Sequence, residues 1–245
     1  TMKTHKNGIK KVRKTCKNRR ITNKQPMVAI VGGTHGNEMM GIYLVKHMIS
    51  NSKKYNRNGF KTLPFISSPL AVSRQTRFID KDINRVFTKK VLEGHNSINS
   101  AYEEIRAREI YHTLKDASII LDLHNTTANS GTMLIIGDTN PLTLYLTQML
   151  CIKNSSRRVW LNKPDKGEKS AANLGSLAPC NIGVEIGPDG GHGICSAKTF
   201  KEGEDCVNDF LDICQSLFTK NKKAIIPKST LEVYRWIGKD VFFPL

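Results

Sequence analysis

Apolar and polar positions follow two rhythms along the chain, and the switches between them outline the fold. Met27 to Val31 is a short unbroken apolar run, the signature of a strand buried on both faces. Gly32 and Gly33 end it with a turn. Met39, Met40, Ile42, Tyr43, Leu44 and Val45 then recur at helical spacing, with Asn37 or a neighbour placed to cap a helix over about 38–51. The alternation continues. Further strands are expected at about 61–67, 118–125, 131–137, 159–161 and 181–187, and helices at about 102–114, 141–152 and 200–218. Ile105 and Ile110 are the expected inward residues of the second helix; Val207, Phe210, Leu211, Cys214 and Phe218 share one face of the last. Residues 51–59 and 162–176 read as polar loops, 88–100 as a polar, mobile one, and 231–245 as extended. Ala71 to Phe87 has no clean period, yet it gathers Arg77, Asp80, Asp82, Asn84 and Arg85 among aromatic residues, as an ordered functional loop does. Strands alternating with helices predict an α/β fold with a mixed, largely parallel sheet flanked by helices.

Composition narrows the class. The 245 residues suit one or two domains, and no apolar run approaches the roughly 20 residues that span a bilayer. No membrane partner is therefore expected. The formal charge of +17 is uneven: residues 1–24 carry ten Lys/Arg and no acid, the remainder 28 against 21. The basic excess is thus largely a tail, expected to be solvated and disordered, with a nucleic-acid or anionic-surface contact as the alternative. Nucleic acid is not the expected partner. The tail lacks an apolar core for a secretory signal, and it lacks the Ser of a mitochondrial presequence. Six Cys without a CxxC pair read as reduced thiols in a cytoplasmic protein. The expected organisation is a basic tail (1–24), one catalytic domain (25–230) and a C-terminal segment (231–245). A homo-oligomer is neither required nor excluded.

The candidate chemistry sits at strand ends, where open α/β sheets place their ligands. His35 and Glu38 lie three apart in the first turn, a spacing that lets both point one way. Such a pair also arises by accident, as a surface His and a Glu that complements a helix dipole. The strand at 118–125 again ends in His, at His124, with Asp122 two residues earlier on the same side. His35, Glu38 and His124 make the three-ligand set of a catalytic zinc, which leaves one position for water. Glu185 stands in the apolar run Ile182 to Ile186, where a charge is costly unless paired or functional. It suits a general base; a salt-bridged core Glu is the alternative.

At these residues the chain resembles the aspartoacylase and aminoacylase-3 branch of the zinc carboxypeptidase-like hydrolases. The matching blocks are Gly32-Gly-Thr-His-Gly-Asn-Glu38, Arg77-Phe-Ile-Asp-Lys-Asp-Ile-Asn-Arg-Val-Phe87, Asp122-Leu-His-Asn-Thr-Thr127 with Gly131, and Gly183-Val-Glu-Ile-Gly-Pro188. The resemblance implies a zinc carboxypeptidase-like fold and one Zn2+ held by His35, Glu38 and His124. It implies Glu185 as base and proton shuttle, Arg77 on the scissile carbonyl, and Asn84 with Arg85 on the substrate α-carboxylate. Asp122 suits a partner for His124, while Asp80 and Asp82 hold the arginine loop in shape. The implied activity is hydrolysis of the amide of an N-acyl amino acid, with N-acetyl-aspartate as first expectation. A neutral or aromatic N-acyl amino acid is the alternative, and an inactive, truncated relative acting as a binding protein is another. Two departures bear on this. The family's arginine for the aspartate side chain falls at Gly175, with Lys166 or Lys169 as substitutes. The family's C-terminal β-rich domain, which narrows the channel and donates a Tyr, would begin near the end of this chain.

Overall fold

The structure, a computed structural model, describes residues 25–162, 172–189, 194–219 and 230–235. Its centre is a sheet of seven strands: β1 Met27–Gly32, β2 Lys61–Ile66, β3 Ile119–Asn125, β4 Gly131–Ile136, β5 Arg158–Leu161, β6 Asn181–Gly187 and β7 Tyr234–Arg235. They run in the order β2-β1-β3-β6-β4-β5-β7. Every pair is parallel except β4 with β6. Four longer helices flank it: α1 Met39–Ser50, α2 Tyr102–Leu114, α3 Pro141–Lys153 and α4 Ala197–Thr219. The mixed, largely parallel sheet is the one expected from the sequence, and the expected strands and helices lie within a few residues of their observed bounds.

Burial on both faces explains why the strands read as continuous apolar runs. Val28 and Ile30 of β1 and Leu121 and Leu123 of β3 join Met40, Leu44, Phe210 and Leu211 in one core cluster. Ala29, Val31 and Ile120 point the other way and join Ile110 and Leu114 of α2 in a second. Burying a Leu or Ile side chain contributes about 1.5–3 kcal/mol, so both faces stabilise the sheet. Past β3 the second face changes character. Asp122 and His124 of β3, Gly183 and Glu185 of β6, Met133 and Ile135 of β4 and Trp160 of β5 line an open cavity there. Thus α2 covers one half of that face and the other half is a wall of the site.

Several local expectations shift. On α2 the inward residues are Glu103, Ala107, Ile110 and Leu114, while Ile105 is only half-buried. The stretch 88–100 contains a helical turn, Lys89–Leu92, whose Val91 N–H bonds to the Thr88 hydroxyl. Arg108 of α2 ties this stretch down by donating to the Val91 carbonyl at 3.0 Å and to Asn96 at 2.6 Å. The polar stretch 51–59 holds another turn, Ser52–Tyr55, with Tyr55 in the core. The basic tail at 1–24 and residues 236–245 lie outside the described residues.

Candidate active site and metal centre

The turn after β1 is shaped by two glycines. Gly33 has a φ of +68°, the left-handed region that a residue with a Cβ adopts at a cost. A Cβ on Gly36 would lie 2.1 Å from the Ala71 backbone, so only glycine lets the turn back onto the short helix Pro69–Arg74. Glu38, rather than Asn37, takes the cap position of α1, and it makes no side-chain cap bond. A distant residue serves the helix end instead: Met40 N–H donates to Asn125 Oδ1 at 3.1 Å. The Glu38 side chain is left for the site.

There it meets both histidines. His35 Nδ1 lies 2.6 Å from Glu38 Oε1, and His124 Nδ1 lies 2.7 Å from Glu38 Oε2. The ligand atoms of His35, Glu38 and His124 all fall within 4.8 Å of one another, and all three residues are buried. The far nitrogens are held as well. His35 Nε2 lies 3.2 Å from Asp82 Oδ1, and His124 Nε2 lies 3.0 Å from Asp122 Oδ2. Thr34 donates to the other Asp122 oxygen at 2.7 Å. The result is one continuous chain from Thr34 through Asp122, His124, Glu38 and His35 to Asp82.

That chain poses a question of proton count. A carboxylate only accepts, so Asp82 and Asp122 each require N–H at the Nε2 they face. A neutral imidazole then has its lone pair on Nδ1, and both lone pairs point at the Glu38 carboxylate, another acceptor. Only a positive charge between them removes the repulsion, either a proton or a metal cation. Burial opposes charge on Glu38, but His124 and His35 outweigh it and hold its carboxyl well below the usual carboxylate range. Burial likewise opposes charge on His124, and the carboxylates of Asp122 and Glu38 push its pKa well above the ordinary imidazole value. Two imidazole nitrogens and a carboxylate that converge, each imidazole backed by a carboxylate, are the donor set and support of a catalytic zinc. The cluster fits a divalent metal.

The other candidate residues surround it. Arg77 Nη1 donates to Glu38 Oε1 at 3.1 Å. Asn84 Oδ1 accepts the Leu174 N–H at 3.1 Å, which leaves its NH2 to donate into the cavity it lines. Arg85 is exposed on the same rim and donates to the Asn84 carbonyl at 3.0 Å. Glu185 stands opposite His124 in the β3–β6 register. Burial raises its carboxyl pKa above the ordinary value. His35, Glu38, Arg77, Asn84, Arg85, His124 and Glu185 therefore line a single cavity of about 610 Å³.

Residues 24–214 match the family described as the succinylglutamate desuccinylase/aspartoacylase catalytic domain. The chain belongs to this family. Among curated members it is 33% identical over 218 residues to a human N-acyl-aromatic-L-amino acid amidohydrolase, covering 86% of this chain and 67% of that one. With the aspartoacylase of Mus musculus it shares 35% identity over 229 residues, covering 88% of this chain and 71% of that protein. The crystal structure of murine aminoacylase 3 superposes with a TM-score of 0.75 at 32% identity, over 80% of this chain and 66% of that one. The chain thus spans about two thirds of the length of the relatives it matches. The fold is that of this zinc carboxypeptidase-like family.

One role, that of Asp82 toward His35, and one contributor, Thr34, escaped the sequence. Asp82 supports His35 as well as bonding to Asn84 N–H at 2.9 Å. Thr34 anchors Asp122. Each lies within a quoted family block, but their pairing joins positions 47 and 88 residues apart, which no local pattern announces.

Proposed function

We propose that the chain hydrolyses the amide bond of N-acyl amino acids with one zinc held by His35, Glu38 and His124. The observation that supports this most is the gathering of all seven candidate side chains around one cavity at the ends of neighbouring strands. When bound, zinc would lower the pKa of a water and polarise the scissile carbonyl. The chain's own groups supply the rest. Glu185 takes a proton from the attacking water and returns it to the leaving amine, a task helped by a pKa raised toward neutrality. Arg77 points its guanidinium at the place where negative charge develops on the carbonyl oxygen. Asn84 and Arg85 grip the α-carboxylate, Arg85 through its planar fork. Asp82 and Asp122 keep the two imidazoles turned with Nδ1 inward. With these groups all in place, an active enzyme is better supported than a binding protein that has lost its chemistry.

The cavity favours a neutral substrate side chain over aspartate. Among the described lining residues the only arginines are Arg77 and Arg85, both already engaged by the proposed reading, and there is no lysine. The facing wall is Met133, Ile135 and Trp160. Gly175 supplies no cation, and its place is taken: a Cβ there would lie 2.6 Å from Asn181 Oδ1 and 3.0 Å from Asn181 Cβ. Gly175 is not among the described positive-φ glycines, so it is packing rather than backbone strain that bars a simple Gly175→Arg restoration. Lys166 and Lys169 lie outside the described residues. An unpaired desolvated carboxylate costs several kcal/mol. The expected substrate is therefore an N-acyl amino acid with an apolar or aromatic side chain, ahead of N-acetyl-aspartate. The test is zinc analysis of the purified chain with kcat/KM across N-acetyl-tyrosine, -leucine and -aspartate. At least about tenfold preference for tyrosine or leucine, about 1.4 kcal/mol, is expected. Preference for aspartate would overturn the side-chain assignment, and no turnover of any of them would overturn the activity.

Support of the metal by Asp122 is tested separately. Asp122→Asn keeps the shape but places an amide between Thr34 and His124 Nε2. Zinc affinity is expected to fall about 10- to 100-fold, measured by competition with a chelating dye. Unchanged affinity would show that His124 is oriented by something else.

A further inference from the structure

The loop that carries Arg77 and Arg85 has an unusual support. Glu103, in the first turn of α2, is completely buried. Its Oε1 accepts the Ile79 N–H at 2.7 Å, and its Oε2 accepts the N–H groups of Asp80 at 3.1 Å and Lys81 at 3.2 Å. The arrangement is reciprocal: Asp80 Oδ2 accepts the Tyr102 N–H, at the start of α2, at 2.7 Å. Lys81 adds a surface ion pair to Glu104 at 2.8 Å. The loop is fixed at its ends by other means. Gly36 N–H donates to the Arg77 carbonyl at 3.3 Å, and Leu174 N–H donates to Asn84 Oδ1 at 3.1 Å. In its middle Phe78 is 40% exposed, and the apolar anchor comes only later, at Ile83, which is buried in the cluster of Ile110 and Leu114. Three successive N–H groups on one buried carboxylate fix the path as it leaves Arg77, and Asp82, which accepts the Asn84 N–H, with buried Ile83 carries it on to Arg85.

We propose that Glu103 is a positioning residue that sets the placement of Asn84 and Arg85 against the substrate carboxylate from the first turn of α2, on the far side of the loop from the cavity. This rests on the deacylase reading for its kinetic consequence, though the clamp itself needs no substrate. A carboxylate receives three donors without conflict. An amide of the same shape must aim its own NH2 at one or more of those N–H groups. Loss of the clamp frees the loop without touching a residue that meets the substrate or the metal.

The test is Glu103→Gln. Its kcat/KM on an N-acyl amino acid should fall about 10- to 100-fold, the usual effect of misplacing a binding group by about an ångström. In an Arg85→Ala background the same change should cost less than about threefold, because residues that act through one another are not additive. Zinc content should stay at that of the unmodified chain. Amide exchange at Ile79, Asp80 and Lys81 should quicken while β1 and β3 keep their protection. Equal losses in both backgrounds, or slow exchange at those three amides, would overturn the proposal. If Glu103→Gln fails to fold, Asp80→Ala removes the reciprocal bond from the exposed side, and the same non-additivity with Arg85→Ala is expected at smaller size. The exchange measurement separates the two claims: an unmodified chain with no turnover counts against the deacylase reading alone.

Discussion

Glu185→Gln is expected to keep its fold and its zinc and to lose at least about a hundredfold in kcat, the lower end of a general-base effect. The contrast with Glu103 shows why. Glu103 is a carboxylate with three backbone donors, a scaffold part by its partners. The Glu185 side chain makes no hydrogen bond to another described residue, although it lies in a strand whose neighbours Val184 and Ile186 are core. A burial cost left without a structural return points to chemistry. Glutamine fills the same volume and breaks no bond, so folding gives the change little to register. Proton transfer registers it fully, because an amide cannot take the proton. The measurement is kcat at saturating substrate, with zinc per chain and thermal midpoint beside it. A drop in zinc or in the midpoint with kcat per zinc unchanged would assign Glu185 to the scaffold.

The fold was legible because its strands are buried on both faces. β1 and β3 read as unbroken apolar runs for that reason, and α1 and α4 announce themselves by their apolar faces. The pattern says nothing about which half of a face stays bare. That depends on β4 running antiparallel to β6 and on α2 packing over the β2, β1 and β3 side of the sheet. The wall of Met133, Ile135 and Trp160 was consequently invisible in the sequence. Charged residues show another limit. Glu103 and Glu104 stand side by side in the first turn of α2. One is fully buried under the arginine loop and the other pairs with Lys81 on the surface, a difference that only the loop's return makes. The cap of α1 shows the same limit: Asn125, 85 residues away, serves the N–H that a neighbour was expected to take. The clustering of His35, Glu38 and His124 was legible because the short spacer puts His35 and Glu38 on one turn and His124 lies near the end of an adjacent strand.

Removing a metal ligand should have the largest effect of all. His124→Ala is expected to lower zinc from about one per chain to a small fraction at micromolar metal, and kcat/KM by about a thousandfold or more, since zinc supplies several kcal/mol to the transition state. His35→Ala should do the same, because a catalytic site holds its zinc with three protein ligands and two do not make one. Stability gives an independent reading. A metal that binds only the folded chain stabilises it by about 2.7 kcal/mol at a hundred times its dissociation constant. A chelator should therefore lower the thermal midpoint of the unmodified chain and leave that of either variant where it is. The variants begin from a lower midpoint, because Glu38 is buried and its charge then keeps only one imidazole, with Arg77 at 3.1 Å, as partners. Repulsion between the Nδ1 lone pairs and the Glu38 carboxylate bears on the choice between metal and proton. If protons alone bridge the cluster, added zinc will not raise the midpoint of the unmodified chain after chelation, and His124→Ala will keep its rate. Either result would remove the metal from the proposed mechanism and leave a buried hydrogen-bonded cluster in its place.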